Sequence, residues 1–119
     1  MKKIELLTPE ELPSWFSYPE DFLQAIDEGL YDIGPWQILN GERLRMRHNG
    51  LKSRYPVHDL VPFARRLDTD DVACWDVKAP GAVQIIHDFA GPGWEVRESY
   101  PSFLGWLAAA KEEAKDYDD

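Results

Sequence analysis

Apolar and polar positions change period several times along the chain, and each change marks an element. In "SYPEDFLQAIDEG", Phe22, Leu23, Ile26 and Leu30 recur at helical spacing. Ser17 and Glu20 have the spacing of a capping box, and Gly29 suits the C-terminal cap. An earlier box, Thr8 with Glu11, opens a helix with Pro9 in its first turn, and Pro13 stops it after about one turn. Beyond Gly34-Pro35, "WQIL" is a short strand. Asn40-Gly41 is a hairpin signal, and "ERLRMRH" alternates strictly after it. Arg43, Arg45 and Arg47 would take one face of that strand, and Leu44, Met46 and His48 the other.

The second half is strand-rich. "LVPFARRL" contains Pro62, which cannot donate to a ladder, so the segment is expected at a sheet edge or as irregular chain. "DTDD" has turn composition and "VACWDV" strand composition. "KAPGA" is a second turn. "VQIIHDF" lacks alternation, as expected of a strand covered on both faces. "AGPG" makes a third turn, and "WEVRESY" alternates again. Residues 69–100 therefore predict a meander of three antiparallel strands. Ser99 or Ser102 caps a last helix from about Pro101, whose stripe is Phe103, Trp106, Leu107, Ala110 and Ala114. The tail "KDYDD" is expected to fray. The sum is an α+β fold: a single antiparallel (mixed-edge) sheet of about five strands, with N-terminal and C-terminal helices packed on it.

Composition supports one core rather than several. The chain has 119 residues, 44% apolar and 13% aromatic with five tryptophans, which fits a single domain over 1–119. No apolar run is long enough for a membrane span, and "MKKIELLTPEEL" lacks the apolar stretch of a signal peptide. One cysteine cannot form an intramolecular disulfide, in keeping with a reducing compartment. The expected location is cytoplasmic.

The net charge is −9, unevenly placed. Residues 36–67 carry 7 basic and 2 acidic side chains, whereas residues 68–119 carry 4 and 12. An acidic chain repels phosphate backbones and suits a basic protein partner, so no direct nucleic-acid partner is expected.

Chemistry-bearing motifs are scarce. The chain contains no P-loop, no Gly-x-Gly-x-x-Gly, no His-Glu-x-x-His and no Gly-x-Ser-x-Gly elbow. His48, His58 and His87 fall on different predicted elements with no ligand spacing, so no metal is expected. Neighbours on a strand point to opposite faces, which argues against a local His87–Asp88 dyad. Cys74 has no basic sequence neighbour and reads as a core side chain. No catalytic residue, cofactor or metal is expected. The candidate partner-binding residues are Asp68, Asp70 and Asp71 in the turn, with Trp36 as an aromatic anchor. Trp36 and Trp94 both follow turns and are expected to be half exposed. Asp76, in a strand, requires a hydrogen-bond partner if it is buried.

The order of these segments resembles the SUKH superfamily, which includes fungal cell-wall (glucan) synthesis regulators and many bacterial proteins. The resemblance rests on "YPEDFLQAI", "GLYDIGPWQIL", "LVPFARRLDTDDVACWDV" and the closing "SYPSFLGWLAAA", covering residues 18 to 110. It implies an α+β domain without catalytic residues. Bacterial members look like immunity proteins that bind and neutralise a toxin; fungal relatives look like regulatory or scaffold modules. Such families usually have a longer N-terminal helix than Pro9 and Pro13 permit here. The functional expectation is a non-enzymatic protein-binding domain of the immunity type, with a basic toxin domain as partner. A regulatory module with a housekeeping partner is the alternative.

Overall fold

The computed structural model describes residues 4–90 and 95–117. The elements run α1 (Glu20–Asp27), β1 (Asp32–Ile33), β2 (Trp36–Ile38), α2 (Gly41–Arg54), β3 (Leu60–Arg66), β4 (Asp71–Asp76), β5 (Val83–His87), β6 (Val96–Tyr100) and α3 (Phe103–Tyr117). All six strands join one antiparallel sheet whose spatial order is the sequence order. The α+β class is as expected, with a sixth strand supplied by the two-residue β1 and no parallel edge.

The N-terminal signals act locally. The Thr8 amide donates to Glu11 Oε1 at 2.9 Å and the Glu11 amide to Thr8 Oγ1 at 3.3 Å. This reciprocal box holds a single turn before Pro13. At α1 the cap differs from expectation: Pro19 occupies the N-cap with no side-chain cap bond. The C-terminal end closes with Leu30 N–H on the Ala25 carbonyl and Gly29 N–H on that of Ile26, the paired bonds of a Schellman turn. At the other end of the chain, the Ser102 hydroxyl accepts the Gly105 amide at 3.1 Å and caps α3.

The largest departure is α2. "ERLRMRH" is a helix and not the second strand of a hairpin. Two physical reasons favour the helix. No β-branched residue occurs between Gly41 and Arg54, and Arg, Leu, Met, Glu and Lys are strong helix formers. Leu44, His48, Leu51 and Tyr55 also share one helical face, and all four are buried. Asn40-Gly41 still bends the chain: Gly41, at φ +57°, turns it from β2 into α2.

β3 is an inner strand and not an edge. Pro62 is tolerated because β2 pairs only with Ala64–Arg66 and the register against β4 shifts between Pro62 and Ala64. Phe63 is the extra residue at that shift. Its ring lies 4.4 Å from Trp75 and 4.9 Å from Trp106. Trp75 also touches Phe16, Tyr18 and Phe22, so one sheet face binds the N-terminal segment, α1 and α3 through aromatic contacts. Such pairs are worth about 0.5–1.5 kcal/mol each beyond their area. The opposite face, bearing Val72, Cys74 and Asp76, is covered by α2. The predicted turn at 91–93 and Trp94 lie outside the described residues, as do the last two residues of the tail.

Gly34 links β1 to α3. Its φ is +58°, and a Cβ there would meet Ala114 Cα at 2.8 Å. Replacing Gly34 with Ala is expected to destabilise the fold by about 2–3 kcal/mol, from overpacking together with an unfavourable backbone angle. The check is a lower urea midpoint with an unchanged m-value.

Candidate functional site

The turn between β3 and β4 exposes Leu67, Asp68, Thr69 and Asp70 on the end of two largely buried strands. Asp68 is held by Arg66, whose Nε lies 2.6 Å from Oδ1. Arg66 in turn is paired with Glu113 of α3. Asp70 carries no side-chain bond among the described residues; its backbone carbonyl accepts the Asp88 amide at 3.0 Å. The tip is thus a braced hairpin end presenting one apolar and two acidic side chains.

Asp71 belongs to the sheet rather than to the tip. It opens β4, and its carboxylate lies 2.9 Å from His87 Nδ1 and 3.2 Å from Arg97 Nη1. Trp36 is not half exposed. It is 4% exposed because β2 turns it inward, edge-on to Trp106 at 5.5 Å. The structure therefore brings Asp68 and Asp70 together at the surface, ties Asp71 into a neighbouring ion cluster and buries Trp36. Leu67 is the tip residue that acidic patterning missed.

Two buried polar networks lie on the α2 face. In the first, the Asp76 carboxylate is fully buried and 2.7 Å from His58 Nδ1, while His58 Nε2 is 2.9 Å from Glu95 Oε2. The Asp59 amide donates to Asp76 Oδ1 at 3.3 Å. His58 is therefore the partner that Asp76 requires. Only an imidazolium can donate to both carboxylates, since a neutral ring has one N–H. Burial opposes the charge on His58, but the bonds to Glu95 and Asp76 outweigh it and raise the pKa above 6.5.

The second network is centred on Asp88, also fully buried. Its Oδ1 accepts from Arg54 Nε at 2.6 Å, and its Oδ2 accepts from Arg54 Nη2 at 2.6 Å and Arg47 Nη1 at 2.8 Å. Burial would raise the pKa of Asp88, but the two guanidiniums more than reverse it and hold the carboxyl below its usual range. The three arginines expected to share one strand face are split by the helix. Arg45 pairs with Glu5 and Glu11, Arg47 with Asp88, and Arg43 has no ion pair among the described residues.

His87 and Asp88 take partners on different sides, His87 on Asp71 and Asp88 on α2, as strand alternation requires. Cys74 is fully buried, and burial foremost pushes its thiol well above its usual range. Among the described residues, no group of three or more His, Cys, Asp or Glu side chains could hold a metal ion. Among them too, no helix is long and apolar enough to cross a membrane.

Comparison with known proteins gave no matching family model, no matching curated protein and no matching solved structure.

The two networks generate opposite pH dependences. His58 has a raised folded pKa, so its contribution is complete below pH 6.5 and is lost as pH rises through the folded value. The stability gap between the wild type and His58→Gln should therefore shrink as pH is raised above 6.5, read by urea denaturation at stepped pH. Asp88 has a lowered pKa, so its contribution is present above pH 3.8 and is lost as pH falls through the folded value. Asp88→Ala leaves two half-buried guanidiniums without their counter-ion, and should cost about 3–5 kcal/mol at neutral pH. A loss under about 1 kcal/mol would show that water replaces the carboxylate at little cost.

Proposed function

We propose that this chain is a non-enzymatic, cytoplasmic protein-binding domain of SUKH type that acts as an immunity protein, neutralising a basic toxin domain. The observation that carries the reading is the β3–β4 tip. Leu67, Asp68 and Asp70 are exposed in the turn that joins two largely buried strands. A braced tip loses little entropy on binding, and an exposed apolar side chain in the same turn as two carboxylates has the composition of an interface centre and rim. The net charge of −9 supports the same partner chemistry. Toxins that act on nucleic acid are commonly basic because they must approach phosphate, and an acidic inhibitor is steered to such a toxin through long-range attraction. The resemblance of its segment order to the SUKH superfamily adds the immunity role.

The test begins with the product of the adjacent gene, offered as bait and expressed as a toxin in cells. Co-expression of this chain should restore growth, and the two proteins should co-purify. Asp68→Lys with Asp70→Lys should slow association about tenfold or more at low salt and flatten its salt dependence. Leu67→Ala should act mainly on dissociation. An association rate indifferent to both salt and charge reversal would sink the steering argument. A neighbouring gene of housekeeping type, with no protection from any toxin, would favour the regulatory alternative.

A further inference from the structure

α2 presents a surface unlike the rest of this acidic chain. Arg43, Arg47 and Arg54 line a groove of ≈ 600 Å³ with Glu42, Met46 and Phe89. Arg65 lies against the same cluster: burial first, then the fields of Arg43 and Arg47, disfavour its charged form. Four guanidiniums thus gather around two carboxylates. One of these, Asp88, is buried and already shared by Arg47 and Arg54. Among the described residues the Arg65 side chain hydrogen-bonds only the neutral Gln37 amide oxygen, and Arg43 has no ion pair. The groove keeps a positive excess inside a chain of charge −9. Like charges held this close repel, and an incoming anion relieves that repulsion.

The groove also has an apolar component. Met46 is 69% exposed and Phe89 65%, the second held with Arg54 4.1 Å above its ring centroid. The Phe89 backbone sits at φ +71°, where bulky residues are rare, with its amide bonded to Asp88 Oδ1 at 3.0 Å. Asp88 therefore fixes two arginines and the aromatic residue beside them. An exposed aromatic and a methionine among arginine forks have the composition of an interface hot spot.

We propose that this groove docks a carboxylate-rich segment of a protein partner, its Asp or Glu side chains meeting Arg43, Arg47 and Arg54 and one apolar side chain lying against Met46 and Phe89. Arg43, without an ion pair among the described residues, can meet a carboxylate bidentately, while Arg47 and Arg54 offer the N–H groups that Asp88 does not hold. A peptide can confine its charges to the guanidiniums and supply the apolar group. A nucleic acid carries a phosphate at every step past an otherwise acidic chain. The surface is separate from the Leu67 tip, and the inference stands or falls independently of the toxin reading.

The test uses the full chain on an array of short peptides in which Asp or Glu flank a central Leu, Phe or Trp. Matched Lys-flanked peptides and a single-stranded oligonucleotide serve as competitors. Acidic members should retain the chain, more weakly as salt rises. Arg43→Glu, which breaks no ion pair, should lower affinity about tenfold or more. Phe89→Gly removes the ring while suiting the positive φ, so it should stay folded and also lose binding. Four results would each overturn the proposal: no acidic peptide retained, equal retention of Lys-flanked peptides, affinity unchanged in Arg43→Glu, or tighter binding of the oligonucleotide than of every peptide.

Discussion

A carboxylate removed from water must find its counter-charge inside the protein, and Asp76 and Asp88 place that demand on one face of the sheet. Both are fully buried. Their partners come from α2 and the segment after it: Arg47 and Arg54 for Asp88, His58 for Asp76. α2 buries Leu44, His48, Leu51 and Tyr55, but apolar contact alone is non-directional and would let the helix slide along the sheet. The ion pairs define its position because a misplaced helix would leave two buried charges unmatched. On the opposite face the Arg66–Glu113 pair that reaches α3 is partly exposed. There Trp75 and Phe63 set the spacing of α1, α3 and the N-terminal segment by ring packing.

The sheet was legible where local chemistry and tertiary demand agree. "VACWDV" and "VQIIH" carry strand-forming residues, sit between turn signals and become β4 and β5. The stripe from Phe103 to Ala110 is helical by period and by propensity, and it becomes α3. "ERLRMRH" shows where pattern reading fails. Its strict alternation spans too few residues to separate a period of 2 from one of 3.6. The deciding positions, Leu51 and Tyr55, lie beyond the segment, and the absence of β-branched residues was the signal that favoured a helix.

The site was legible by charge and illegible by partnership. Acidic turn composition placed Asp68 and Asp70 on a surface tip. It gave no hint that Asp71, one residue on, is claimed by His87 and Arg97 across the sheet, since such pairing depends on strand register. Trp36 follows a turn yet is buried because β2 is an inner strand whose inward face meets α3. The His58 bridge and the Asp88 clamp join residues 18 to 41 positions apart, beyond what spacing rules can detect.

Cys74 sits in the middle of this arrangement, between Pro62 and Gln84 on the neighbouring strands. Its sulfur is inaccessible and its thiol resists ionisation. A thiol reagent reaches it when the central strands separate, because the thiolate is the reactive species and the closed sheet both covers the sulfur and disfavours its ionisation. The chain therefore carries its own chemical clock: the rate of alkylation reports how often the sheet opens. Any molecule that settles on the α2 face would announce itself by slowing that rate.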